Sequence, residues 1–318
     1  MARVISVLPF LGTLCTLGTL TGQTWLKKIH PPTGAGKYLV TTEAGRFVYQ
    51  TRSFRIVTFK KHDHTLMTDF AKCLESVPLA LQNIPASLYA PSKKQKGQLL
   101  IVNHNADYLA AGGAKNTAGY YDGVENRTLI NWTHFRNNTT QTRVLQEPAF
   151  DLIIHELTHL SMHNLMWKCQ PWLTEGIAEY MAASHVGRGN FDFSQMDHAI
   201  RKRIEKHTKP GSTSSTALGI RSLLSLSSKG WLERTANVDA WEALKAYNGA
   251  LLLSHYCLHG GTERLKKTRQ HFEALHNIQT KSLKKPQLIS VDNAKTVEIA
   301  IADYWKKRGL QVNFDHLN

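Results

Sequence analysis

No Cys-x-x-Cys pair occurs in this chain, and its 318 residues carry only four cysteines at wide spacings. A disulfide-dense framework is thereby excluded. Cys15 lies in the N-terminal segment without the small preceding residue of a lipoprotein cleavage site, so lipidation is not expected there. Cys73, Cys169 and Cys257 leave room for one bridge at most. Acidic side chains are also scarce: 24 Asp and Glu face 39 Lys and Arg, a formal net charge of +15. Such a surface attracts polyanions, and a polyanion is one expected partner. The basic runs at 93–96, 266–267, 284–285 and 306–308 are short and dispersed, however, and no specific nucleic-acid motif accompanies them. Long apolar runs are missing except at 4–20, which is short and interrupted by threonine and glycine. With Arg3 before it, this segment reads as a signal peptide or N-terminal anchor over 1–22. The expectation is a secreted, periplasmic or envelope-side protein that meets a membrane only through that segment, if it is retained. Internal repeats and low-complexity tracts are absent, and the sequons at Asn126, Asn131, Asn137 and Asn138 decide nothing, because such triplets arise by chance.

What is present suffices for a full core: 42% of the residues are hydrophobic. After the Pro31-Pro32 linker, β-rich runs fall at 38–42, 46–51 and 54–59, the first two joined by a turn at Gly45. A helical spacing covers 66–83, followed by a strand at 98–102, a short helix at 107–111 and a strand at 128–132. From residue 144 the spacing turns helical, at 150–166, 172–184, 194–206, 238–259, 262–276 and 294–307. The Ser, Thr and Gly of 209–216 read as a loop. Strands first and helices second predict an α+β class, a small mixed sheet followed by a helical half, with function at their junction. The expected division is a linker and short β-hairpin over 23–53, a catalytic domain over 54–276 and a C-terminal helical extension over 277–318.

The segment Asp151-Leu-Ile-Ile-His155-Glu156-Leu-Thr-His159-Leu160 carries His-Glu-x-x-His on a helical spacing. Residues four apart share a helix face, so both imidazoles reach one metal ion, while Glu156, about 100° round the helix, reaches a water at the metal's open position. A catalytic zinc needs a third protein donor. Pro171-Trp172-Leu173-Thr174-Glu175-Gly176-Ile177-Ala178-Glu179-Tyr180 offers it after a short connection that fits a helix reversal. His155, His159 and Glu175 are thus the expected ligands of Zn²⁺ and Glu156 the general base. Gly176 keeps side-chain bulk out of a close helix crossing. Glu179, one turn on, is either a hydrogen-bond partner of a ligand histidine or exposed. Tyr247 and His255 are candidate donors to an oxyanion, Tyr247 the stronger. His163 is read as structural, and the strand at 128–132 either as a sheet edge on which an extended peptide docks or as an internal strand.

The paired motifs resemble the gluzincin metallopeptidases, the thermolysin-like group whose third zinc ligand is a glutamate on the helix after His-Glu-x-x-His. There a Trp-Leu-Asn-Glu-Gly-x-Ala motif carries the ligand, matched here by Glu175-Gly176, with Thr174 in place of the frequent asparagine. A weaker likeness, over 54–259, is to bacterial proteins with a peptidase-MA-like domain, through Ala118 to Tyr121 and the Ala246-Tyr247-Asn248-Gly249-Ala250 helix. The resemblance implies a zincin-like catalytic domain that hydrolyses peptide bonds in a peptide or protein substrate. Two rivals remain: a catalytically inactive zinc-containing envelope protein that binds a polyanion, and a zinc hydrolase acting on a cell-wall or other non-peptide amide.

Overall fold

The computed structural model describes residues 27–115, 117–133, 147–236, 238–278 and 287–316; the leader, Cys15 and the sequons at Asn137 and Asn138 lie outside them. Strand β1 (Lys28–Ile29) is followed by the three strands expected from the sequence, β2 (Leu39–Glu43), β3 (Arg46–Gln50) and β4 (Phe54–Thr58). Helix α1 (His64–Asn83), β5 (Gly97–Val102), the short α2 (Asn105–Ala110), β6 (Gly119–Asp122) and β7 (Arg127–Asn131) come next. Helices α3 (Glu147–Ser161), α4 (His163–Met166) and α5 (Pro171–Ser184) lead to β8 (Phe191–Asp192), α6 (Met196–Lys206) and β9 (Ser215–Leu218). The remainder is α7 (Ile220–Ser225), α8 (Ser228–Ala236), α9 (Ala240–His259), α10 (Thr262–Asn277), α11 (Ala294–Lys306) and β10 (Val312–Asp315). The class is α+β, with a mixed sheet.

Six strands form that sheet in the order β2-β3-β4-β5-β7-β6, with β4, β5 and β7 parallel and the outer pairings antiparallel. The β2–β3 turn uses Ala44 (φ 48°) and Gly45 (φ 74°), the two left-handed residues a tight hairpin demands. Because β3 pairs with β4, Phe47 facing Thr58, the hairpin of 23–53 extends the sheet of the following segment. Side chains alternate across the strands. Tyr49, Ile56, Leu99, Ile101 and Ile130 face the main core, which Phe70, Leu74, Ile153 and Leu157 of α1 and α3 complete. Val48, Val57 and Leu100 pack on the opposite face. Asp63 caps α1 by accepting from Thr65 N and Leu66 N, which fixes where the helix starts.

One open reading is decided and two expectations change. The strand at 128–132 is internal: β7 is hydrogen-bonded on both sides, and the strand outside it is β6, whose four residues are too short to show alternation in the sequence. The loop read at 209–216 ends in β9, which pairs in parallel with β10, almost a hundred residues on; a nonlocal partner makes the strand. The helix read at 150–166 is divided at Met162 into α3 and α4. Cys73, Cys169 and Cys257 are all buried, and among the described residues none of them forms a disulfide. No helix of the described residues is long and apolar enough to cross a membrane.

In the helical half, one buried and several half-buried histidines are held toward the neutral form. Burial first, then the neighbouring His255, pushes His259 down to about 3, and burial alone pushes His271 down to about 4. His163, His207 and His255 are shifted down as well, again mainly by burial. The unfolded chain therefore takes up more protons than the folded one between about pH 6.5 and 4, and stability falls as pH falls through that window. Glu156, raised by burial, works in the opposite direction, as does His155 at the upper end of the window, where Glu175 and Glu179 hold it protonated against burial; the depressed histidines outnumber these two. Thermal unfolding of chelator-treated protein should show a lower midpoint at pH 4.5 than at pH 6.5. A midpoint that holds or rises would contradict the neutral assignment.

Candidate metal centre

Two helices and the sheet edge build the centre. Helix α3 carries His155, Glu156 and His159; Thr158 returns its hydroxyl to Ile154 O, so the turn between the two histidines stays helical (2.8 Å). Pro171 opens α5, where its missing N–H costs nothing, and Thr174 donates to Pro171 O. Helix α5 packs back against α3, and α9 crosses α5 closely at Gly176: a Cβ there would stand 2.2 Å from Ala250 O and from Ser254 Oγ. The small residue expected at the crossing is thus required by backbone, not only by side chains.

The three expected ligands converge. His155 Nε2 and His159 Nε2 are 3.1 Å apart, Glu175 Oε2 is 3.3 Å from the first, and Glu175 Oε1 is 3.7 Å from the second. Two nitrogens and an oxygen bound tetrahedrally at zinc distances stand roughly 3.3 Å from one another. These residues form a group able to hold a metal ion. The local charge agrees. Asp151, Glu156, Glu175 and Glu179 bring four carboxylates against one guanidinium, Arg203, an excess of negative charge that a divalent cation offsets.

Glu179 is the hydrogen-bonding partner rather than an exposed residue. Its Oε1 lies 2.9 Å from His155 Nδ1, which turns Nε2 toward the other ligands, and its Oε2 accepts from Arg203 Nε at 2.5 Å. Arg203 also reaches Asp151 Oδ2 at 3.3 Å. Burial opposes charge on His155, yet its bonds to Glu175 and Glu179 override that and lift its pKa to about 10; a bound cation would replace that proton. Burial likewise opposes charge on Glu175, but His159 and His155 hold it down at about 2. Arg203, again against burial, keeps Glu179 well below the usual carboxylate range.

Glu156 differs from its neighbours. It is 5% exposed, burial raises its pKa, and its Oε2 has no hydrogen-bond partner among the described residues. Gly119 of β6 lies directly against it: a Cβ there would come within 2.5 Å of Glu156 Oε1. Both residues line a cleft of about 560 Å³ with Leu152, His155, Leu244 and Tyr247. Tyr247 is at the site, its ring 6.3 Å from that of His155, and burial together with Glu175, Glu179 and Glu156 raises its hydroxyl pKa well above normal.

His255 is elsewhere. Eight residues after Tyr247 on α9, about 12 Å along the axis, it lies 3.2 Å from Asp197 Oδ1 and stacks on His259, so it is no oxyanion donor for this cleft. His163 meets the Tyr121 hydroxyl at 2.7 Å, a structural contact. The sequons at Asn126 and Asn131 are buried. Sequence reasoning missed Arg203, Asp151 and Gly119. Asp151, one turn before His155, left a signal in the i to i+4 spacing, and Gly119 lies in the 118–121 segment of the weaker resemblance but was given no role there; Arg203 arrives through packing and left none. No protein-family model and no curated protein matches this chain.

Proposed function

We propose that this protein is a zinc-dependent metallopeptidase with a gluzincin-like catalytic domain, His155, His159 and Glu175 holding Zn²⁺ and Glu156 acting as general base. The observation that carries the reading is the convergence of those three donors beside a buried carboxylate oxygen that has no hydrogen-bond partner among the described residues and faces an open cleft. Zinc, when bound, supplies Lewis acidity that polarises a carbonyl and acidifies water. The chain's own residues do the rest. Glu156 removes a proton from the attacking water and later delivers it to the leaving amine, and the upward shift that burial gives its pKa suits a group that must both take and give. Gly119 keeps side-chain bulk away from that carboxylate, and β6, an edge strand of the sheet among the described residues, offers backbone groups to an extended peptide. Tyr247 stays protonated and supplies a hydroxyl donor to the oxyanion of the tetrahedral intermediate. The secreted or envelope-side assignment rests on the composition of 1–22.

Chelation tests the metal requirement. Protein stripped with a chelator should lose hydrolysis of an unfolded protein substrate and regain it with about one equivalent of zinc, while magnesium fails, because two imidazoles and one carboxylate suit zinc better than a hard oxygen-seeking ion. Hydrolysis that survives stripping, or zinc-loaded protein inert toward a broad peptide library, would sink the peptidase reading.

A further inference from the structure

One groove gathers cations without counter-ions. Arg52, between β3 and β4, and Lys93, Lys94 and Lys96, ahead of β5, line an open depression of about 430 Å³ with Tyr89, and all four cations are exposed. Among the described residues no carboxylate lines it. Lys96 Nζ donates to Thr51 O at 2.9 Å, and among the described residues none of the four forms an ion pair. Glu75, which acts on the Tyr89 hydroxyl, is buried with its two oxygens accepting from Ser53 N and Ser53 Oγ, both at 2.8 Å. The groove is also tied to the metal helix: Ala90 N donates to Ser161 O and Asn164 N to Ala90 O, at 2.9 and 2.8 Å. Leu160, which lines the groove, follows Glu156 by one turn of α3, about 6 Å along the axis.

Shape and chemistry select the occupant. A concave groove of this size admits an extended chain, whereas a duplex or a lipid bilayer meets protein on a broad open face. Single-stranded nucleic acid needs successive rings on which to stack. Tyr89 is half-buried and Phe54 is 3% exposed, so no run of rings is offered. Carboxylates on an extended peptide match a fork-shaped guanidinium flanked by flexible ammonium groups.

We propose that this groove is an exosite for an acidic stretch of the polypeptide substrate, lying away from the scissile bond; this rests on the peptidase reading of the cleft. Binding is measured without turnover, by fluorescence anisotropy of a labelled peptide of alternating glutamate and glycine on the full chain carrying Glu156→Gln. Lys93→Glu with Lys94→Glu should weaken binding about tenfold or more, with steep salt dependence in the parent. Lys266→Glu with Lys267→Glu, the same charge change on α10, should alter it less than about twofold. Thermal unfolding checks that both pairs remain folded. Equal weakening by the two pairs, no peptide binding at low salt, or tighter groove-dependent binding of oligothymidylate or phosphatidylserine vesicles would each overturn the exosite. Because no hydrolysis is read, an inert wild-type enzyme would count against the peptidase reading alone.

Discussion

Glu156→Gln protein should bind zinc as the wild type does and hydrolyse peptide roughly 10²- to 10⁴-fold more slowly, the range expected on removing a general base. The substitution preserves shape, so Gly119 still fits against the side chain and the cleft keeps its form. It leaves His155, His159 and Glu175 untouched, so metal content should not change. What disappears is the group able to take a proton. The loss should fall on kcat, since Glu156 works in the transition state rather than in holding the ground-state substrate. Steady-state kinetics with metal analysis on the same preparation check this. Unchanged hydrolysis in a zinc-loaded variant would remove Glu156 from the chemistry, and loss of zinc would make it a ligand instead.

Arg203→Met should be among the most destabilising single changes in the molecule. The guanidinium joins Glu179 and Asp151 at 2.5 and 3.3 Å, and Glu179 is 5% exposed. Removing one partner of a buried ionic cluster typically costs about 3–5 kcal/mol, because the remaining charges are left uncompensated. Across a chain of this size that lowers the thermal midpoint by roughly 4–8 °C. Zinc affinity should fall too, on the order of 10- to 100-fold, because Glu179 no longer holds the His155 ring in place. Arg203→Lys should recover part of the stability but not all, since an ammonium cannot reproduce the two-sided contact. A variant with wild-type midpoint and wild-type zinc affinity would show that the cluster does not support the centre.

The features legible in the sequence are those that local spacing specifies. His155 and His159 stand one turn apart on a face that apolar neighbours bury, so both the helix and the convergence of its imidazoles follow from periodicity. Glu175 and Gly176 were legible because Pro171 marks where the next helix starts and the short connection leaves only a reversal. The strand read at 128–132 exists, but whether it was an edge or internal stayed open in the sequence: β6 is a four-residue strand with intermediate burial throughout, and no alternation announces it. The β9–β10 pair was invisible for a related reason, since each strand has four residues and the partner is remote. Arg203 is the clearest omission. On α6 it looks like any basic residue near a helix end, and only tertiary packing brings its guanidinium to Glu179. His255 shows the converse, a histidine on the same helix as Tyr247 that rise and rotation carry to a different neighbourhood.

Metal content tests the central claim most directly. Wild-type and His159→Ala proteins, purified without added metal or chelator, should differ in elemental analysis, with about one zinc per chain in the wild type and little in the variant, which keeps two of the three protein donors. No zinc in either protein, even after zinc is supplied, would contradict the account and leave a basic protein whose convergent histidines and carboxylates hold no ion.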